Sequence, residues 1–148
     1  MRAQETIREA EPADLDGIMK MGERFVAETT YSKFITVDPA WASKTVIDIV
    51  SNDDGAVFVV ERDGKIRGMI AAQVYPHPYS GVRTATEAFW WVDPEARGCG
   101  LRLLSAMEAW AKGRGAKVIQ MTAPTESIGR LYESLGYESV ETSYQRSV

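Results

Sequence analysis

The residues with the clearest chemical potential are Arg97-Gly98-Cys99-Gly100, which lie between a predicted strand and a predicted helix. The first turn of a helix leaves backbone N–H groups unpaired and carries about half a positive charge. Gly98 and Gly100 have no side chain that would keep an anion away from these amides. The segment therefore predicts a site for a phosphate ester. An ordinary tight turn is the structural alternative, because many strand-to-helix turns contain glycine.

Two other kinds of phosphate loop are excluded. The sequence contains no Gly-Lys-Ser/Thr, which a nucleoside triphosphate site requires. It also has no third glycine at the spacing of a dinucleotide site. The anion-binding prediction therefore concerns a different phosphate ester.

A strand and a helix must hold this turn in place. Residues Thr84 to Val92 are rich in Thr, Phe, Trp and Val, so they predict a strand, and Asp93-Pro94 ends it because proline cannot donate to a ladder. From Gly100 onward apolar residues recur at helical spacing, and Gly113 and Gly115 end the helix. The apolar positions are Leu103, Leu104, Met107, Trp110 and Ala111.

This arrangement resembles the GNAT superfamily of N-acetyltransferases, whose pyrophosphate loop reads Arg/Gln-x-x-Gly-x-Gly/Ala after a strand that ends in Val-x-Pro. The chain matches at Arg97, Gly100 and Val92-Asp93-Pro94, and it departs at Arg102, where the family has a small residue. A second family motif follows at Leu131-Tyr132-Glu133-Ser134-Leu135-Gly136-Tyr137. The resemblance extends from Ala56 to the C-terminus and is weaker over the first fifty residues.

The resemblance implies both a fold and an activity. The fold is α+β, with a mixed, mostly antiparallel sheet of six or seven strands flanked by about four helices. The activity is transfer of an acetyl group from acetyl-coenzyme A to a primary amine by direct attack in a ternary complex, without a metal. A non-catalytic regulatory module that binds acetyl-coenzyme A and keeps the same fold is the alternative. Only the enzyme would release free thiol when supplied with its amine.

The resemblance also implies where the coenzyme binds. The end of the strand would lie along the pantetheine arm, and the turn and the start of the helix would hold the pyrophosphate. Arg102 would either point outward or reach a coenzyme phosphate. Thr125 stands where many members carry an asparagine that contacts the coenzyme, although it could equally cap a helix. The implied coenzyme-binding residues are Trp90, Trp91, Val92, Arg97, Gly98, Cys99, Gly100, Leu101, Arg102, Leu103 and Thr125.

Attack of an amine on a thioester needs a proton acceptor for the ammonium group and a proton donor for the departing thiolate. Tyr132 holds the tyrosine position of the second family motif, so the resemblance implies it as the donor. Glu87 is the predicted acceptor, because its strand neighbours are apolar or aromatic and burial among them would raise its pKa. Strand alternation places Glu87 on one face with Phe89 and Trp91. A packing tyrosine and a surface glutamate are the structural alternatives.

Cys99 is the only cysteine, and a thiol at a helix N-terminus is expected to have a lowered pKa. A covalent acetyl-cysteine route would also need a nearby base, and the only histidine, His77, lies in a separate loop. We therefore expect Cys99 to contribute its backbone N–H instead. The resemblance implies that two loops border the acceptor amine, and their candidate substrate-binding residues are Tyr31, Phe34, His77 and Tyr79.

Composition limits the remaining possibilities. The chain has 148 residues, which suits one acetyltransferase domain over residues 1–148. Its net charge of −4 favours a cationic small molecule or a protein amine over nucleic acid or an anionic membrane. One cysteine excludes an intramolecular disulfide, and no Cys/His cluster could hold zinc. No apolar run has the length of a signal peptide or a membrane span, so a cytoplasmic protein is expected. The amine acceptor and a homodimeric state stay open.

The other elements follow from pattern alone. Strands are predicted at Glu5 to Glu9, Ala56 to Val60, Ile66 to Val74, Lys117 to Thr122, and once or twice within Tyr137 to Arg146. Asp63-Gly64 predicts a hairpin turn, and Tyr75 to Arg83 a loop. One helix begins near Pro12, and its predicted inward residues are Leu15, Ile18, Met19, Gly22, Phe25 and Val26. A second begins at Pro39 and is predicted to bury Trp41, Val46, Ile49 and Val50, and a third covers Thr125 to Leu135.

Overall fold

The computed structural model describes residues 4–148 and contains a five-stranded sheet in the order β1-β2-β3-β4-β5. Adjacent strands are antiparallel except β4 and β5, which are parallel. The mixed sheet confirms the predicted α+β class. The strands are β1 Glu5–Glu9, β2 Gly55–Arg62, β3 Lys65–Pro76, β4 Arg83–Val92 and β5 Val118–Gln120.

Four helices flank the sheet, as predicted. Two of them begin with a side-chain cap: Asp38 Oδ1 accepts from the Trp41 amide at 3.0 Å, and Thr125 Oγ1 accepts from the Ile128 amide at 3.3 Å. Short 3-10 turns cover Pro12–Asp14, Thr30–Lys33 and Pro94–Ala96. The helices are α1 Leu15–Glu28, α2 Pro39–Val50, α3 Gly100–Gly113 and α4 Glu126–Ser134.

The sheet carries a separate apolar core on each face, because neighbouring strand residues point in opposite directions. Helices α1 and α2 cover one face with Ile18, Met21, Val46 and Ile49. Helix α3 covers the other face with the buried residues Leu103, Leu104, Met107 and Ala111. The two cores fix α1 and α3 on opposite sides of β4.

The predicted inward faces of α1 and α2 need correction. Met21 is fully buried in α1, whereas Met19 is only partly buried. In α2, Trp41 is 72% exposed and Val50 is 46% exposed, so the prediction that both are buried was wrong. Helix α2 buries only the narrow stripe of Val46 and Ile49, which leaves its first and last residues outside the core.

The hairpin turn between β2 and β3 is as predicted. Asp63 and Gly64 both have positive φ angles, 51° and 77°, as a two-residue turn matched to the strand twist requires. The loop predicted from Tyr75 is shorter than expected, because β3 continues to Pro76.

The strand or strands predicted within Tyr137 to Arg146 do not form, so the sheet has five strands instead of six or seven. Strand β5 has only three residues, and its outer edge pairs with no strand among residues 4–148. A three-residue edge offers few ladder bonds with which to order another strand. The segment after Tyr137 is exposed, with Val140 at 82% and Tyr144 at 90%.

Across residues 4–148, no helix combines the length and the apolar character needed to cross a bilayer.

Candidate active site

A cleft opens where β4 and β5 separate. Residues Thr84–Thr86 of β4 pair with Val118–Gln120, but residues 87–92 have no strand on that side within the described chain. A cavity of about 940 Å³ occupies this opening. Its walls are β4, the turn before α3, the segment 122–132, and the end of α1 with the 3-10 turn that follows it. This volume is within the range of small-molecule sites.

The cavity brings together most of the predicted site residues. Phe34, His77, Tyr79, Cys99, Arg102 and Leu103 do not line it. Those that line it are Tyr31, Glu87, Trp90, Trp91, Val92, Arg97, Gly98, Gly100, Leu101, Thr125 and Tyr132.

The turn before α3 presents unused backbone donors. Among residues 4–148, no hydrogen-bond acceptor is found for the amides of Gly98 through Leu101, whereas Arg102 and Leu103 both donate to the Cys99 carbonyl at 3.1 and 3.2 Å. Gly98 has φ 124°, a conformation that side-chain-bearing residues rarely adopt. A Cβ added at Gly100 would lie 3.4 Å from the Trp90 ring, an ordinary contact. The free amides of Gly98, Gly100 and Leu101 line the cavity at the start of the helix and form a cradle for an anion.

Two arginines near this turn have different surroundings. Arg97 donates from Nε to the Val92 carbonyl at 3.3 Å, and its guanidinium lies 5.1 Å from the Trp91 ring centroid, which places it at the cavity wall. Arg102 instead pairs with Glu5 of β1, a carboxylate that also accepts from Arg62 at 2.7 Å. The guanidinium of Arg102 therefore points away from the cavity and does not block it.

Cys99 differs from expectation. Its side chain is 2% exposed, and its Sγ donates to the Ala96 carbonyl at 3.1 Å. Burial raises the pKa of this thiol, so the expected lowering by the helix N-terminus was wrong. The N-terminal field would favour a thiolate only if the sulfur faced the free amides or solvent, and it faces the core instead.

A β-bulge sets the direction of Glu87. In the β3–β4 ladder Ala71 pairs with Phe89 and Ala72 with Glu87, so Ala88 is an extra residue without a partner. The extra residue resets strand alternation. Phe89 and Trp91 consequently pack on the α1–α2 core, whereas Glu87 points to the opposite face, toward Thr122. The prediction that Glu87 shares a face with Phe89 and Trp91 was wrong.

The carboxylate of Glu87 is held at the cavity wall by one backbone group. Its Oε2 accepts from the Thr122 amide at 3.1 Å. Burial raises the pKa of Glu87 to about 7, although the bond from Thr122 acts in the opposite direction. Near neutral pH the group can therefore both take up and release a proton.

Tyr132 lies beside Glu87, and both side chains hydrogen-bond the backbone of Thr122. The hydroxyl donates to the Thr122 carbonyl at 3.1 Å, and the ring stacks on Trp90 with centroids 6.0 Å apart. Burial, and then the nearby charge of Glu87, raise the pKa of the phenol well above its usual value. Tyr132 therefore keeps its proton at neutral pH and can donate it. The backbone of Thr122 links the two side chains, a role that leaves no side-chain signature in the sequence.

Two buried polar atoms lie near Tyr132 without a hydrogen-bond partner in residues 4–148: Trp90 Nε1 and the Tyr137 hydroxyl. The Tyr137 ring is 5.7 Å from that of Tyr132, and burial raises its pKa to about 12. Trp90 lines the cavity, but its Nε1 is buried away from the surface.

The opposite wall comes from the end of α1 and the 3-10 turn after it. Phe25 contacts both Tyr31 and Trp91, with centroids at 5.8 and 5.9 Å. Trp91 donates from Nε1 to buried Asp93 at 3.1 Å, and Arg24 holds the same carboxylate through two bonds of 3.0 Å. Sequence analysis found only Tyr31 in this wall. Phe25 was predicted as a core residue. The helical spacing of apolar residues indicates that Phe25 points inward, but it does not show that Phe25 also lines the cavity.

The other residues that were predicted to bind the acceptor amine do not line the cavity. His77 and Tyr79 occupy the turn between β3 and β4, where Tyr79 is 94% exposed and its amide donates to His77 Nδ1 at 3.2 Å. Phe34 is 39% exposed and lies just outside the cavity wall.

Comparison with known proteins agrees with this geometry. The profile of the GNAT acetyltransferase family matches residues 23–137. The chain therefore belongs to the GNAT acetyltransferase family. It is 28% identical over 143 residues to an uncharacterised N-acetyltransferase of Methanocaldococcus jannaschii, and the match covers 92% of this chain and 62% of that protein. The chain spans less than two thirds of the length of the curated relatives that it matches, 62% and 32%.

Solved structures share the fold. A transcriptional regulator from Bacillus halodurans C-125 aligns with a TM-score of 0.80 at 24% identity, covering 98% of this chain and 100% of that one. An aminoglycoside N-acetyltransferase in complex with CoA aligns with a TM-score of 0.75 at 18% identity, covering 100% of this chain and 97% of that one. At these identities the likeness concerns the fold alone.

Proposed function

We propose that this protein is an N-acetyltransferase that moves an acetyl group from acetyl-CoA to a primary amine by direct attack in a ternary complex. The observation that carries the proposal is the sharing of one cavity by Glu87, Tyr132 and the free amides of Gly98, Gly100 and Leu101. A proton acceptor, a proton donor and an anion cradle are the parts that this reaction needs.

Acetyl-CoA would bind along β4 and the turn before α3. The amides of residues 98–101 and the guanidinium of Arg97 would hold the pyrophosphate. The free edge of β4 over Trp90 to Val92 would pair with the amides of the pantetheine arm, since no strand of residues 4–148 occupies it. The Thr125 hydroxyl already caps α4, so at most it would share its oxygen between the cap and the coenzyme. The side chains of Arg102 and Leu103 face away, so they have no direct role in this proposal.

The proton path follows from the two side chains. Ionised Glu87 accepts a proton from the acceptor ammonium, directly or through one water, and frees the nitrogen lone pair. The nitrogen then attacks the thioester carbonyl, a C–N bond forms and the C–S bond breaks, with the electron pair leaving on sulfur. Tyr132 turns its O–H from the Thr122 carbonyl toward that sulfur and gives it the proton. The new amide nitrogen gives its surplus proton, through water, to the Tyr132 oxygen, so the phenol is restored, and Glu87 releases the proton that it took to solvent. The pKa of the Tyr132 phenol is higher than that of the Glu87 carboxyl group, which supports this assignment of acceptor and donor.

Thiol release tests the proposal against a regulatory module that only binds the coenzyme. Both should show a higher melting temperature with CoA. Only the enzyme should release free CoA thiol from acetyl-CoA when an amine is added, above a control without amine. Binding without amine-dependent thiol release, over a broad amine panel, would contradict the proposal.

We also propose that residues 1–148 act as one domain and pair as a homodimer. The exposed segment after Tyr137 supports pairing, because a second copy would cover its apolar side chains Val140 and Tyr144. Light scattering should give twice the monomer mass, and a chain ending at Gly136 should give the monomer mass. A full-length chain that stays monomeric at a protein concentration of about 100 µM would contradict pairing.

A further inference from the structure

The cavity has an apolar, aromatic wall that comes mainly from the end of α1 and the 3-10 turn after it, and to which β4 contributes Trp91. Phe25, Tyr31 and Trp91 form a connected group of rings, and Val26 and Ile35 extend the same wall. The indole of Trp91 is fixed by Asp93, so the largest ring of the group has a set position. A rigid group of rings on one wall favours a ligand with an apolar body of comparable size.

The cavity lining holds three charged side chains, and one of them, Arg97, lies 5.1 Å from the ring centroid of Trp91. Its charged lining residues are Glu28, Glu87 and Arg97, and Arg97 belongs to the wall beside the turn before α3. Glu28 is the last residue of α1, where the helix dipole already carries negative partial charge. Among the described residues, the part of the lining formed by the end of α1 and the turn after it holds Glu28 and no cationic side chain. Such a site favours an ammonium group and disfavours a phosphate or carboxylate on the acceptor.

We propose that the acceptor is a primary amine attached to an apolar body of about the size of an aromatic ring, bound by Phe25, Tyr31 and Trp91. This inference rests on the proposed function and names the substrate class of the same site. An arylalkylamine and the N-terminal amine of a peptide that begins with Phe share this chemistry. The ammonium group lies toward Glu87, and the apolar body lies against the rings.

The test measures thiol release from acetyl-CoA with a matched panel of amines. The apolar arm contains phenethylamine, phenylalaninamide and the peptide Phe-Ala-Ala, which separate a free amine from a peptide N-terminus. The polar arm contains spermidine, glucosamine 6-phosphate and kanamycin. We expect kcat/KM for at least one apolar amine to exceed that for every polar amine by about tenfold or more, as burial of one ring against the wall would give.

Variants of the wall sharpen the test. Tyr31→Ala removes a ring that is only partly buried, so the fold should persist, and the KM for the preferred apolar amine should rise about five- to tenfold. The KM for acetyl-CoA should stay unchanged, because Tyr31 lies on the wall opposite the turn. Tyr31→Phe keeps the ring and should restore the amine KM to within about twofold. Trp41→Ala, which removes an exposed ring of α2 outside the cavity, is the matched control and should leave both KM values unchanged.

The outcomes separate the two proposals. Amine-dependent thiol release that is fastest with spermidine, glucosamine 6-phosphate or kanamycin would overturn the apolar acceptor and leave the acetyltransferase activity standing. An equal rise of both KM values in Tyr31→Ala would likewise overturn the role of the wall. No thiol release with any amine, together with a CoA-dependent rise in melting temperature, would overturn the proposed function and the inference with it.

Discussion

The two ends of the cavity recognise their ligands with different parts of the chain. At the turn before α3 the donors are backbone amides, whose positions depend on the φ angle of Gly98. At the end of α1 the wall consists of side chains, chiefly Phe25, Tyr31 and Trp91. A backbone site needs particular residues at fixed spacing, so a sequence motif reports it. A side-chain wall can be formed by many combinations of residues, so no motif reports it.

The largest expected effect comes from a charge at the backbone end. Gly100→Glu places a carboxylate beside the free amides, and we expect affinity for CoA to fall by at least about 100-fold, because like charges meet at close range. Gly100→Ala is the control, since its Cβ would make only ordinary contact with Trp90 at 3.4 Å. Titration calorimetry with CoA measures both. Equal affinity in Gly100→Glu and the parent chain would remove this turn from the coenzyme site.

The proton acceptor between the two ends is the next test. Glu87→Gln keeps the shape but cannot accept a proton, so we expect kcat to fall on the order of 10³-fold. In the parent chain kcat/KM should rise as pH increases through about 7, because the reaction needs the ionised carboxylate. This rise should be absent in Glu87→Gln. The control is Glu23→Gln on the exposed surface of α1. A pH profile that keeps its rise in Glu87→Gln would assign the base to another group.

The proton donor should matter less, because a thiolate leaves more readily than an alkoxide would. Tyr132→Phe should lower kcat on the order of 10²-fold and leave the KM for acetyl-CoA unchanged. Tyr137→Phe is a matched control, since its hydroxyl makes no hydrogen bond within residues 4–148 and its ring lies 5.7 Å from that of Tyr132. Full turnover in Tyr132→Phe would refute the donor role, and an equal loss in both variants would indicate damage to packing.

The raised pKa of Glu87 also affects stability. The carboxyl pKa is about 7 in the folded chain and 4.5 in the reference state, so the folded chain holds a proton that the unfolded chain releases between these values. Stability therefore decreases as pH rises through this window. Glu87→Gln should raise the melting temperature by a few degrees more at pH 8.5 than at pH 5, on the order of 1 kcal/mol or more. A difference independent of pH would contradict a raised pKa.

Local structure could be predicted from the sequence, whereas geometry that depends on how one strand or helix packs against another could not. The strand, turn and helix around Arg97 were predicted correctly, as was the start of α2 at Pro39, because these depend on residues within a few positions. The bulge at Ala88 depends on how β4 pairs with β3, so strand alternation alone placed Glu87 on the wrong face. Glu87 is partly buried at the cavity wall, and its pKa is raised in the direction that the sequence predicts.

Two further errors have the same cause. The expected low pKa of Cys99 followed from its place before α3, but the direction of its side chain depends on the core that α3 forms with the sheet. The predicted C-terminal strand has a suitable pattern, but a strand also needs an edge to pair with, and β5 is only three residues long. In both cases the outcome depends on a tertiary contact, and the local sequence pattern carries no information about that contact.

Arg102 gives the smallest expected effect and the sharpest check on the backbone end. The residue occupies a position at which the family has a small residue, and a guanidinium there could supply a phosphate contact in place of an amide. Its pairing with Glu5, which Arg62 also contacts, argues against that role. Arg102→Gln should therefore change the affinity for CoA less than about twofold, with a loss of stability within about 1 kcal/mol for an exposed ion pair. A tenfold loss of affinity without loss of stability would show that this arginine turns from Glu5 to the coenzyme. The cradle would then depend on a side chain as well as on the backbone, and the contrast between the two ends of the cavity would weaken accordingly.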